Sequence, residues 1–174
     1  MRLRGFLFLV SAFALSLVAP SPAYATLNCN DVRQLVGLYF KLHFEQHNFD
    51  DELSRRTLDN YLKAWDPGKV YFLKSDVEAL EKKYSTKLDD LIMDADCKPI
   101  EEVVRLYTQR FDERQKVISA QVAAKHDFTL DEYMPIDRKK IDYATTTEEI
   151  AERWRQRVKF QLLQLKSTMG DVEK

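Results

Sequence analysis

Two cysteines, four glycines and five prolines are all that 174 residues offer of the types that staple or punctuate a chain. Beyond residue 25 only Pro67, Pro99, Pro135 and Gly37, Gly68, Gly170 remain, too few for the turns of a loop-rich β sandwich. An excess of one charge is missing as well: 27 Lys and Arg face 28 Asp and Glu, a formal charge of -1. A nucleic-acid binder needs basic residues to displace counterions from phosphates, so this balance excludes one. The longest apolar run, residues 5–19, is about 15 residues and falls short of the roughly 20 that span a bilayer, which argues against a membrane span. What the chain does have is 45% apolar and 32% charged residues, enough for a core under a solvated surface.

The first 25 residues have the three parts of a secretory signal peptide. Arg2 and Arg4 precede the apolar run, and Ala23-Tyr24-Ala25 supplies the small-residue cleavage site. Cleavage near Ala25 leaves residues 26–174 as one domain, with 25 basic residues against 28 acidic and a formal charge of -3. The product is periplasmic or otherwise exported, where thiols meet oxidising conditions. Cys29 and Cys97 then have one intramolecular pairing open to them. Closing that loop of 69 residues stabilises the fold by about 4 kcal/mol in the chain-entropy model. A zinc role is weaker, because two cysteines without a Cys-x-x-Cys spacing give half of a structural site.

Periodicity predicts an all-α single domain of about five helices with one long, partly extended connection. Val32, Leu35, Val36, Tyr39 and Leu42 recur at three and four and mark a helix running to about His47. Asp50 caps a second helix carrying Leu53, Leu58, Tyr61, Leu62 and Trp65, which the turn Asp66-Pro67-Gly68 ends. Ser75 with Glu78 reads as a capping box for a third, continuous helix through Val77, Leu80, Tyr84, Leu88 and Leu91. Pro99 opens a fourth, which runs to about Ala124. Residues 128–143 lose the helical period, and Thr146 with Glu149 caps a last helix bearing Ile150, Trp154, Val158, Leu162, Leu165 and Met169.

Catalytic patterns are scarce. His43 and His47 stand four apart, but Phe44 occupies the place where a zinc-protease motif needs Glu, so no metal ligands are assigned. The adjacent carboxylate pairs Asp50-Asp51, Asp89-Asp90 and Glu101-Glu102 point about 100° apart on a helix and do not converge on one proton. Nucleophile-elbow, phosphate-loop and dinucleotide patterns are missing, and no catalytic residue or cofactor is assigned. Arg153, Arg155, Arg157 and Lys159 read as a solvated helix face with Trp154 turned to the core. Gly37, inside a helix, reads as a point of close helix contact. Trp65, Tyr71 and Trp154 are the aromatic candidates for an interface, though each also lies on an apolar stripe or turn suited to core packing.

Three blocks carry a resemblance. The stretch Leu62-Lys63-Ala64-Trp65-Asp66-Pro67-Gly68-Lys69-Val70-Tyr71-Phe72-Leu73-Lys74-Ser75-Asp76-Val77 is similar to the segment after the second helix of the N-terminal domain of tail-specific proteases. These are periplasmic serine peptidases, also called carboxy-terminal-processing peptidases. Tyr107-Thr108-Gln109-Arg110-Phe111-Asp112-Glu113-Arg114 resembles the middle helix of that domain, and Trp154-Arg155-Gln156-Arg157-Val158-Lys159 its end. The resemblance implies a helical scaffold that precedes a PDZ domain and a catalytic domain with a Ser/Lys dyad. No serine or lysine here matches the dyad, and the sequence stops at Lys174, about where those parts would begin. The expectation is a non-catalytic module that is inactive alone. Its partners are the PDZ and protease portion of the same or a neighbouring chain and a protein adaptor or substrate. The alternative is a free-standing periplasmic interaction or regulatory protein with the same fold.

Overall fold

A computed structural model describes residues 27–169; the signal-like segment lies outside them. Six α-helices follow one another: α1 (Cys29–Leu42), α2 (Asp51–Trp65), α3 (Lys74–Tyr84), α4 (Leu88–Met93), α5 (Lys98–Ala123) and α6 (Thr147–Met169). A short 3-10 turn, Arg138–Lys140, interrupts the connection between α5 and α6. The all-α architecture expected from the sequence is present, with one helix more because the third predicted helix is two.

That split has a local cause. Lys87, at φ -135° and ψ -2°, leaves the helical region, and Ser85 and Thr86 are residues that favour turns over helix interiors. The break lets Val77, Leu80 and Tyr84 of α3 and Leu88 and Ile92 of α4 bury against one centre, with Leu58 and Leu62 of α2, Phe72 and Val103 of α5. Ala95 then takes φ 59° to close α4, its N–H reaching the Ile92 carbonyl and that of Asp96 the Leu91 carbonyl at 2.7 Å. A left-handed alanine in that place costs about 1 kcal/mol relative to glycine.

The caps correct two readings. Asp50 accepts the Leu53 N–H at 2.9 Å, as its position implied. The start of α3 belongs to Leu73, whose N–H is taken at 2.9 Å by the Asp76 carboxylate; Ser75 and Glu78 lie inside the helix. α1 ends at Leu42, five residues before the expected His47. His43 is extended at ψ 139°, and its Nδ1 accepts the N–H groups of Glu45 and Gln46 at 3.2 and 2.9 Å, a local turn that competes with another helical turn.

α6 packs along α5, and α1 leans on α4. The Thr146 hydroxyl caps α6 by accepting the Glu149 N–H at 3.1 Å, while the Glu149 carboxylate takes the Thr145 N–H at 2.9 Å. The extended stretch before it reaches back across the molecule, where the Lys74 N–H donates to the Ala144 carbonyl at 2.7 Å. Among the described residues no helix is long and apolar enough to cross a membrane.

Candidate interaction site

The turn between α2 and α3 organises the helices around it. Asp66, 1% exposed, accepts the backbone N–H groups of Val70, Tyr71 and Phe72, each at 2.9 Å. Pro67 and Gly68 make the tight reversal this requires, and Lys69 adopts φ 50°. The carbonyls that the reversal turns outward are met by side chains of α5 and α6. Arg157 donates to Gly68 at 3.3 Å, Arg153 to Lys69 at 2.8 Å, Trp154 Nε1 to Val70 at 3.1 Å, and Arg114 to Tyr71 at 3.3 Å. A Cβ at position 68 would lie 2.8 Å from the Arg157 guanidinium, so glycine is what permits this approach. Burial lowers the pKa of both Arg114 and Arg157, and the Glu113 carboxylate for Arg114 and the Asp66 carboxylate for Arg157 oppose that loss.

The arginine tract of α6 is therefore not the solvated face its composition suggested. Arg153 also holds the Asp142 carbonyl at 2.8 Å and Glu149 at 2.6 Å, binding the extended connection to the turn. Arg155 pairs with Glu152 and Glu132, and Lys159, buried, pairs with Glu132 at 2.8 Å. Trp154 does turn inward, as expected. Lys69 adds a hydrogen bond to the Ile141 carbonyl and lies over the Tyr143 ring at 5.2 Å. The Tyr143 hydroxyl is buried without a hydrogen-bond partner, and burial, with Asp66 second, raises its pKa well above the usual phenol range.

Trp65, Tyr71 and Trp154, the three interface candidates, meet in one half-buried aromatic cluster. Tyr71 is the hinge, with ring centroids 5.6 Å from Trp154, 5.1 Å from Tyr107 and 5.9 Å from Phe111, and Trp65 stands 4.9 Å from the same Tyr107. Burial, then the neighbouring Tyr107, raises the Tyr71 pKa. These rings join α2, the turn, α5 and α6 by edge, tilted and stacked contacts worth roughly 0.5–1.5 kcal/mol per pair beyond buried area. The structure thus brings the candidates together as packing residues with one open side.

At the other end, a disulfide joins Cys29 to Cys97, with Cα atoms 5.7 Å apart. It fastens the first turn of α1 to the start of α5. α1 has no fully buried residue. Its inner side chains Val32, Val36 and Phe40 stand over a groove of about 430 Å³ floored by Leu58, Leu88 and Ile92. Its outer apolar side chains Leu38 and Leu42 are 53% and 73% exposed, and Phe44, two residues past its end, is 91% exposed. Gly37 corrects its sequence reading, since among the described residues nothing beyond its chain neighbours and its own helix backbone lies within 4 Å of where its Cβ would be. His43 and His47 share no helix face after the early end of α1. Among the described residues no group of three or more His, Cys, Asp or Glu side chains is gathered in a way that could hold a metal ion.

Residues 36–174 match the family model of the tail specific protease N-terminal domain. This chain belongs to that family. Among curated proteins, a tail-specific protease of Haemophilus influenzae is 28% identical over 124 residues, covering 71% of this chain and 18% of that protein. The family match takes in the Asp66 turn, the aromatic cluster and all of α2 to α6, and begins midway along α1. Cys29 lies outside the matched residues while Cys97 lies within them. Sequence reasoning singled out the aromatics of this domain by type. It missed Asp66, Arg114, Arg153 and Arg157 as the groups that fix the turn, although an aspartate opening an Asp-Pro-Gly turn is a residue whose carboxylate readily accepts nearby backbone N–H groups.

Proposed function

We propose that the chain acts as the non-catalytic N-terminal helical module of a periplasmic tail-specific serine protease, serving as scaffold and as a contact for substrate or adaptor. The family match over residues 36–174 carries this reading. The way the domain uses its charge supports it: Arg114, Arg153, Asp66 and Lys159 are spent on backbone and ion-pair contacts that hold helices together. The PDZ and protease portion supplies the Ser/Lys chemistry and is the principal partner. Export by a signal peptide cleaved near Ala25, leaving residues 26–174 as the module, agrees with the disulfide, since such bonds persist in oxidising compartments.

The second reading is a free-standing periplasmic interaction or regulatory protein of this fold. The outer face of α1, with Leu38 and Leu42 exposed to solvent and Phe44 just beyond its end, favours a partner of some kind. One experiment separates these readings. The oxidised protein is purified and offered a peptide with an apolar C-terminus, alone and with a separately produced PDZ and catalytic portion of a tail-specific protease. The module reading expects no cleavage by the chain alone and a stable complex with that portion. Cleavage by the chain alone overturns the non-catalytic assignment, and no complex overturns the scaffold role in favour of the free-standing protein.

A further inference from the structure

The connection between α5 and α6 is held through its acidic side chain and leaves its apolar ones in solvent. Glu132, at the surface, is paired with Arg155 at 3.1 Å and with the buried Lys159 at 2.8 Å. Phe128 lies under the ammonium of Lys166 at 5.2 Å. With these anchors in place, the side chains that would ordinarily seek burial face water: Leu130, Tyr133 and Ile136 are 58%, 83% and 77% exposed. Ordering a chain segment costs roughly 1–2 kcal/mol per residue in backbone entropy, and burial of apolar side chains is the usual return. Here the return lies outside the domain. The three side chains border a groove of about 330 Å³ shared with Phe160 and Leu163 of α6.

We infer that this surface, centred on Tyr133 and Ile136, is the seat of the polypeptide that follows α6 in a tail-specific protease. The inference rests on the module reading above and adds to it the face that is used. Two observations select this occupant. The matched region is 18% of the Haemophilus influenzae protease, so most of such a protein lies beyond this domain. The surface also lies along the second half of α6, and the resemblance implies that the PDZ and catalytic portion follows that helix. A segment tethered there docks intramolecularly at an effective concentration in the millimolar range, and a modest apolar patch is then sufficient to hold it. The outer face of α1 lies at the opposite end of the chain and lacks that proximity.

The test uses the oxidised protein and the separately produced PDZ and catalytic portion, with association read by calorimetry. Tyr133→Asp with Ile136→Asp is expected to weaken association by about tenfold or more, because two exposed apolar anchors become charges inside the contact. Leu38→Asp with Leu42→Asp, on α1, is expected to leave it unchanged. All four positions are solvent-exposed, and circular dichroism with a thermal melt checks that each variant folds. Equal binding by wild type and the Tyr133 and Ile136 variant overturns the surface assignment and leaves the module reading standing. Loss of binding in the α1 variant instead moves the seat to α1 and overturns it too. No binding by the wild type with both portions near millimolar concentration, which matches the effective concentration of a tethered segment, removes both readings. An oligomer of the chain alone that the Tyr133 and Ile136 changes dissolve makes a second copy the occupant and also overturns the inference.

Discussion

The Asp66 turn and helix α1 are held by opposite means. In the turn, nearly every polar group of residues 68–72 has a named partner: three N–H groups on one carboxylate, and four carbonyls on side chains drawn from α5 and α6. Directional bonds of this kind allow one arrangement, and they lock the ends of three helices to a loop of a few residues. α1 has the reverse constitution. Among the described residues it makes no hydrogen bond of that type to the body, buries no residue fully, and depends on one covalent bond and one apolar side. The turn is where the domain is specified; α1 is where it is fastened. A region with few buried contacts opens locally at low free energy, whereas one whose bonds all interlock opens only with the whole fold.

The largest expected effect breaks the turn. Asp66→Ala removes the acceptor of three N–H groups, two of them buried, and takes from Arg157 the carboxylate charge that most opposes the effect of its burial. Each unpaired buried donor costs about 1–3 kcal/mol, so the loss is on the order of 4 kcal/mol or more and many molecules unfold. Asp66→Asn keeps an acceptor oxygen and is expected to lose roughly half as much. Urea unfolding measures both. An Asp66→Ala loss under about 1 kcal/mol would show that the turn is held by its aromatic packing and that its hydrogen bonds are incidental.

A smaller effect is expected at the disulfide. The full chain-entropy figure for a bridge with a sequence separation of 68 is about 4 kcal/mol, but it applies only if α1 stays docked once the bond is cut. With no residue of its own fully buried, α1 undocks on reduction while α2 to α6 remain folded, and the global loss is about 2 kcal/mol. Hydrogen exchange with and without dithiothreitol resolves the two regions. Amides of α1 are expected to lose protection on reduction and those of α5 around Val103 to keep it. Uniform loss of protection across both helices would mean that α1 is as integral to the fold as the turn.

The same contrast explains what could be read from the sequence. Helix positions, the apolar stripes of α2, α5 and α6, and the caps at Asp50 and Thr146 follow from periodicity and from short-range side-chain chemistry, and they are present. The bond between Cys29 and Cys97 followed from compartment and an even count. The end of α1 did not, because the choice was made by the His43 Nδ1 accepting two backbone N–H groups, a contact that no apolar pattern records. Arg153 and Arg157 were equally hidden. Their partners are carbonyls 84 and 89 residues away, and a carbonyl is the same atom in every residue, so it leaves no mark on the sequence. Trp65, Tyr71 and Trp154 were visible as a set of types, and only the fold made them one cluster.

The connection lies between the two extremes, pinned by ion pairs but exposed, and acid should move it toward the behaviour of α1. The Glu132 carboxylate is held below its ordinary value of 4.5, first by its hydrogen bond to Lys159 and then by Arg155. A carboxylate with a depressed folded pKa favours the docked state above about pH 4.5, and that contribution is lost as pH falls through the lower folded value. Glu152, depressed first by its hydrogen bond to Arg155, and Glu149, depressed first by the Thr145 N–H, weaken over the same range and loosen the first turns of α6. Backbone NMR order parameters for residues 128–136 are therefore expected to fall from about 0.85 near pH 6 toward roughly 0.6 near pH 3, with α2 and α5 unchanged. Glu132→Gln is expected to give the lower values already at pH 6 and to remove most of the pH dependence, which separates Glu132 from the other two carboxylates. Order parameters that stay high in the variant would show that Phe128 under Lys166 and the Arg153 bond to Asp142 hold the connection without the ion pairs, as firmly as the Asp66 turn holds itself.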